Sequence, residues 1–251
     1  MLNYEIAGSG KEDLVLLHGF MENLSIWDEM QPFLSDEFRL IKLDLPGFGE
    51  SKPIAEVQTM ELIADEVKKI VSKLKMKSFH LLGHSMGGYV SLAFAEKFPD
   101  LLKSFTLFFS TYFADDEERK KIRRKSLKII EENFCAYANA GIPNLFNPQE
   151  RNFLEPKINL AKEIAYTSSI DGVLASQKGM AERPDRKSVL ENFDGKILIL
   201  AGNHDSAVDT EKTIKNLPEK SNIKSYILDS GHNGHWEKPE ICAAIVKTEL
   251  I

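Results

Sequence analysis

Short apolar runs of strand length alternate with amphipathic helical stretches along most of this 251-residue chain, and that rhythm restricts the fold more than any single motif. "MLNYEIAG" and "DLVLLHG" are strand-like and flank a Gly-Ser-Gly turn. "FRLIKLDL", "SFHLLGH" and "SFTLFFS" follow, and "KILILAGN" and "IKSYILDS" resume the pattern from Lys196. Between them, "SIWDEMQPFL" reads as a short helix capped by Ser25. In "TMELIADEVKKIVSKL", Leu62, Val67, Ile70, Val71 and Leu74 share an apolar side. "DTEKTIKNL" and "KPEICAAIVKTEL" supply later helices. Such alternation predicts an α/β fold: a mainly parallel central sheet with helices on both faces. Binding crevices in such sheets open at the carboxyl ends of the strands.

The rhythm lapses between Thr111 and about Asn192. "DDEERKKIRRKSLKIIEENFCAYANA" is a charged amphipathic helix with Ile122, Ile129, Ile130 and Phe134 as its expected buried stripe. "NPQERNFL", "KINLAKEIAYTSS" and "DGVLASQKGMAER" read as further short helices. The expected organisation is a core of residues 1–110 and 192–251 with a helical insertion, 111–191, above the sheet. The basic run Arg119 to Arg124 reads as a solvated helix face. The competing reading is a docking patch for an acidic carrier or a phosphate-bearing substrate tail.

Charge and composition remove several classes of function. A net charge of -6 and a pI near 5.6 argue against nucleic-acid binding, which needs a basic surface to displace phosphate counterions. Cys135 and Cys242 make neither a metal-binding spacing nor a disulfide framework, which fits a reducing compartment. The first residues carry no basic-then-apolar leader pattern, and no apolar run nears the roughly 20 residues that span a bilayer. No Walker pattern is present, and no G-x-G-x-x-G follows the first strand. The expectation is a cytoplasmic protein, monomer or homodimer, acting on a small molecule without metal or organic cofactor.

The strongest chemical signal is "HLLGHSMGG", His80 to Gly88. Its G-x-S-x-G core would occur by accident in roughly one chain in ten of this length, so the surroundings must carry the argument. They do: a buried-strand run precedes Ser85, and "SMGGYVSLAFAEKF" follows with Val90, Ala93, Phe94 and Phe98 spaced as a helical stripe. A serine on a sharp strand-to-helix turn leaves no room for side chains two residues either side, and Gly83 and Gly87 stand there. Gly88 removes one more Cβ. An activated serine needs a base, and the base needs an orienting group. Asp205 in "ILILAGNHD" and His232 in "YILDSGHNGHWEKPE" both lie just beyond strand runs.

These blocks in this order resemble the α/β-hydrolase superfamily, in particular its compact, capped, esterase-like members: "HGF", "DLPGFGES", "GHSMGG", "AGNHD" and "SGHNGHWEKPE". The resemblance covers nearly the whole chain and implies a Ser85 nucleophile, a His232 base and an Asp205 acid, in the chain order usual for that fold. His235, three residues on, rivals His232; the resemblance places the base directly after Gly231. Asp209 rivals Asp205 but heads a helical run as an N-cap. His18 and His84 read as loop braces, His80 as core or edge, and the His204 side chain should point away from Asp205. The resemblance also places oxyanion-hole N–H groups on Met86 and Phe20. "DLPGFGES" reads as a structural loop in which Asp44 and Ser51 bond backbone. Phe20, Phe113, Tyr137, Phe146 and Met180 are candidate pocket residues, Phe153 is a packing candidate, and Arg183 with Asp185 is a candidate pin for the insertion. The implied activity is hydrolysis of carboxylic esters of small to medium, largely apolar acyl groups. An enol-lactonase, a carbon–carbon hydrolase, a perhydrolase, a triad-bearing lyase of menaquinone synthesis and a slow-turnover ligand receptor stay open on the same scaffold.

Overall fold

The computed structural model describes residues 1–251. Seven strands form one sheet in the order β1-β3-β2-β4-β5-β6-β7. They are β1 (Tyr4–Ala7), β2 (Glu12–Leu17), β3 (Phe38–Leu43), β4 (Phe79–His84), β5 (Leu102–Phe108), β6 (Lys196–Gly202) and β7 (Ile223–Leu228). Only β1 runs antiparallel, pairing Tyr4 with Leu43; every other pair is parallel. All six residues of β4 are buried, as its unbroken apolar run requires for a strand covered on both faces. From β2 the chain moves outward to β3, then returns across the sheet to β4, so β2 and β4 flank a topological switch point. The crevice beyond the carboxyl ends of those two strands is where such a sheet binds ligands. Gly19–Phe20 and Ser85 lie there.

Ten α-helices accompany the sheet: α1 (Gln31–Leu34), α2 (Met60–Lys73), α3 (Met86–Lys97), α4 (Glu117–Gly141), α5 (Glu155–Tyr166), α6 (Ile170–Glu182), α7 (Lys187–Asn192), α8 (Thr210–Lys215), α9 (Gly234–Glu237) and α10 (Pro239–Leu250). No helix is long and apolar enough to cross a membrane. Between β5 and β6 the chain contains α4 to α7 and no strand.

Several local expectations are corrected. Ser25 is not a helix cap: Asn23 caps the 3-10 turn Leu24–Trp27 by accepting the Ser25 N–H, and α1 begins only at Gln31. Leu62 is exposed, because the buried stripe of α2 runs through Met60, Ile63, Val67 and Ile70, about 100° around the helix from it. "NPQERNFL" forms turns rather than a helix, and Phe153 is 87% exposed. In α4 the buried positions are Ser126, Ile130, Phe134 and Ala138, an i, i+4 series; Ile129 lies off it, and Ile122, one step before it, is 60% exposed at the cavity. That helix is interrupted at Asn133, whose side chain accepts the Ala136 N–H and restarts the next turn.

The helical segment is fastened by buried charge. Asp115, with a fully buried side chain, pairs with Arg183 at 2.7 Å and with Arg123. The Arg183 guanidinium stacks over the Tyr89 ring at 4.0 Å. Asp185 is not its partner; it accepts the Lys187 N–H at 2.9 Å instead.

Candidate active site

Ser85 stands between β4 and α3, at the N-cap of the helix, with φ 49° and ψ −112°. A non-glycine residue in this region carries about 1–3 kcal/mol of strain and must be held there by its surroundings. The Ser85 N–H donates to the Phe108 carbonyl at 3.0 Å, and the Ser85 carbonyl accepts the Gly88 N–H at 2.9 Å and the Ser110 hydroxyl at 2.7 Å. The crowding predicted for the turn is present. A Cβ on Gly83 would enter the Gly87 carbonyl, one on Gly87 would lie 2.5 Å from the Leu17 carbonyl oxygen, and one on Gly88 would strike the Ser110 side chain. Backbone cannot yield as a flexible side chain does. Gly83→Ala is therefore expected to cost roughly 3 kcal/mol, the upper end of overpacking penalties, read as a lowered denaturation midpoint.

Asp205 lies just beyond β6 with a fully buried side chain. One carboxylate oxygen accepts the Ala207 and Val208 N–H groups at 2.8 and 2.9 Å; the other meets His232 Nδ1 at 2.8 Å. The carboxylate is thus fixed by its own loop before it touches the imidazole. The His232 loop is held by Glu237, which accepts N–H groups from Gly231, Asn233 and Asn147. Burial pushes the His232 pKa down, but the charge and hydrogen bond of Asp205, aided by Glu22 and Glu237, outweigh it and leave the value above 6.5. Ser85 and His232 line one cavity. No hydrogen bond joins the Ser85 hydroxyl to the imidazole; such bonds are often long before substrate docks.

The rivals have other places. Asp209 caps α8 by accepting the Lys212 N–H at 2.9 Å. His235 is fully buried against Trp27, His84 and Trp236, and neither ring nitrogen has a partner. Burial and the neighbouring His84 hold its pKa well below the usual imidazole range, so it stays neutral with no carboxylate to orient it. His204 points to Asp229 at 3.0 Å. His18 braces two loops through the Gly19 carbonyl and the Leu45 N–H, and His80 bonds Ser104. Asp44 accepts the Glu50 N–H and the Ser51 hydroxyl donates to the Asp44 carbonyl, as read from the sequence, and the Asp44 carboxylate also accepts the Leu24 N–H outside the loop.

The Phe20 and Met86 N–H groups donate to no protein acceptor, although neighbouring N–H groups do. Behind them stands a residue that the sequence reading missed. Glu22 is buried, and one of its oxygens accepts both the Gly19 N–H at 2.6 Å and a bond from His84 Nδ1 at 2.8 Å. His84 Nε2 reaches the His232 carbonyl at 3.0 Å. One carboxylate therefore ties together the residue before Phe20, the residue before Ser85 and the backbone of His232. Burial opposes its charge, but His84, His235 and His18 outweigh that and lower its pKa to about 2. The only sequence signal was an acid within "HGFMEN". Glu22→Gln is expected to lower kcat by about ten- to a hundredfold, the size of a lost charged hydrogen bond. The acid limb of the pH profile should also move to lower pH, because the Glu22 charge helps to hold the His232 proton.

The cavity measures ≈ 410 Å³, within the range of small-molecule sites. Phe20, Met21 and Tyr89 supply apolar wall, and Tyr137, Leu145 and Met180 join it from the helical segment. Phe113 and Phe146 do not line it. Phe113 lies under the Lys212 ammonium, outside the cavity, and Phe146 is fully buried and stacks on Trp236. Both were candidates on aromatic character alone, which does not fix direction. The basic run also differs from a purely solvated face: Arg119 and Arg123 line the cavity, beside Ser126 and Gln177.

A mostly parallel sheet carrying a strained serine at its switch point, with an Asp–His pair at later strand ends, has the form of an α/β hydrolase. The chain belongs to the alpha/beta hydrolase fold family, whose match spans residues 14–157. It is similar to a thermophilic esterase from Thermogutta terrifontis, solved with malate bound: 31% identity and TM-score 0.92, covering 99% of this chain and 92% of that one. It is 25% identical over 256 residues to 2-hydroxy-6-oxononadienedioate/2-hydroxy-6-oxononatrienedioate hydrolase 1 of Pseudomonas putida, covering 94% of this chain and 87% of that protein. It is 29% identical over 249 residues to the dihydrolipoyllysine-residue acetyltransferase component of an acetoin cleaving system from Pseudomonas putida, covering 94% of this chain. The chain spans only 63% of that last protein's length.

Proposed function

We propose that the protein is a serine hydrolase that cleaves carboxylic esters of small to medium acyl groups through an acyl-enzyme on Ser85. The observation that carries this reading is the strained Ser85 backbone at the head of α3, in one cavity with an imidazole fixed 2.8 Å from Asp205. In this scheme His232 takes the serine proton and passes it to the leaving alcohol. Asp205 selects the tautomer with Nδ1 protonated, leaving Nε2 free as base, and stabilises the imidazolium. The Phe20 and Met86 N–H groups receive the oxyanion, assisted by the N-terminus of α3. Water then cleaves the acyl-enzyme with His232 again as base. Residues 111–191 act as the cap, a reading supported by Arg119, Arg123, Tyr137, Leu145 and Met180, which line the cavity from that segment.

The direct test is covalent labelling. A fluorophosphonate should add once, on the peptide containing Ser85, and a p-nitrophenyl ester series should give a defined chain-length optimum. Labelling at another serine, or none in folded protein, would overturn the scheme.

A further inference from the structure

Resting on the ester-hydrolysis reading, we infer that the natural substrate carries a carboxylate at the end remote from the scissile ester, and that Arg119 and Arg123 receive it. The two residues are one helical turn apart on α4, so their side chains share a face, and both line the cavity that holds Ser85 and His232.

The local charge is unbalanced. Asp115 is the only carboxylate paired within this cluster, and Arg123 and Arg183 share it. Arg119 forms no ion pair; its Nη1 donates to the Ala207 carbonyl at 2.6 Å, in the loop that follows Asp205. Two guanidiniums thus share Asp115, and Arg119 has no carboxylate partner. The nearby acids form no ion pair with Arg119: Asp116 accepts its main-chain N–H, Asp209 caps α8, and Glu22 holds Gly19 and His84. Of the charged residues that line the cavity, Arg119 and Arg123 are basic and Glu22 is acidic, in a chain whose net charge is -6.

The chemistry favours a carboxylate. A guanidinium offers planar paired donors that match its two oxygens. Arg123 is held in place by Asp115 and by the Gln177 side-chain oxygen at 3.1 Å, which leaves its Nη2 without a protein acceptor. Gln177 in turn donates to the Ser126 hydroxyl at 2.6 Å, so a polar wall continues from the arginines. Phe20, Met21 and Leu145 elsewhere in the cavity suit an apolar spacer. The substrate class is a half-ester of an aliphatic dicarboxylic acid, or an ester whose alcohol part bears the acid.

The test compares two p-nitrophenyl esters of equal acyl length, the adipate half-ester and the neutral hexanoate. The wild-type protein should prefer the half-ester in kcat/KM by roughly tenfold or more, the size of one charge-assisted contact, with the difference carried by KM. Added salt should shrink the preference. Arg119→Gln should remove most of it, whereas Lys125→Gln, an exposed position of the same helix, should leave the ratio as in wild type. Equal or poorer use of the half-ester, or a ratio unmoved by Arg119→Gln, overturns the inference while hexanoate turnover upholds the ester reading. Failure to hydrolyse either ester, with no fluorophosphonate adduct at Ser85, overturns both.

Discussion

Ser85→Ala is expected to abolish ester turnover, lowering kcat by about five to six orders of magnitude while the protein stays folded. In a related type of serine enzyme, removal of the nucleophile alone costs about as much as removal of the whole triad, because the three groups act as one unit. The residual rate would come from the oxyanion donors and from substrate positioning, which main-chain N–H groups of Phe20 and Met86 retain in the variant. The substitution is clean on structural grounds. The serine hydroxyl supports none of the bonds that hold the turn; those use the Ser85 N–H and carbonyl, which alanine keeps. Alanine at φ 49° carries the same kind of backbone strain as serine, so the unfolding midpoint should move little. Steady-state assay at high enzyme concentration, with mass spectrometry to exclude wild-type carry-over, measures the loss. Turnover near the wild-type rate would remove Ser85 from the mechanism.

The strand-helix rhythm and the elbow were legible because each is local. Buried runs such as "SFHLLGH" and "KILILAGN" need no partner to be recognised, and the glycines at 83, 87 and 88 mark crowding that the turn itself creates. Directions of side chains over the cavity were not legible. Phe113 and Phe146 carry the same kind of aromatic signal as Phe20, yet only Phe20 reaches the cavity. Arg123 on α4 pairs with Asp115, and Asp115 pairs with Arg183, 68 residues away in sequence. A run of arginines next to "DDEE" looks solvated, yet Arg123 lines the cavity that holds Ser85. Glu22 was missed for the same reason, since its partner His84 lies 62 residues on. Contacts of this kind have no period in the sequence.

Asp205→Asn should keep the fold and still lower kcat by about four orders of magnitude, with a pH signature that a structural defect would not give. The retained side-chain oxygen can go on accepting the Ala207 and Val208 N–H groups. The new amide then faces His232 Nδ1 as a donor, which forces the proton onto Nε2, the nitrogen that must be free to act as base. Because the fault is one of tautomer, raising the pH should not restore the rate. The linkage to stability has a definite sign. His232 holds its proton more tightly folded than unfolded, so protonated His232 stabilises the wild-type protein below pH about 6.5, and this contribution is lost as pH rises through the folded value. Removing the Asp205 charge removes the largest influence that raises that pKa and leaves burial to push it down. The variant should therefore lose more of its unfolding midpoint at pH 5.5 than at pH 8.5. Thermal unfolding at the two pH values, beside kcat across the same range, checks both halves. An Asn variant with wild-type activity, or with its larger loss of stability at high pH, would mean that Asp205 does not govern the imidazole.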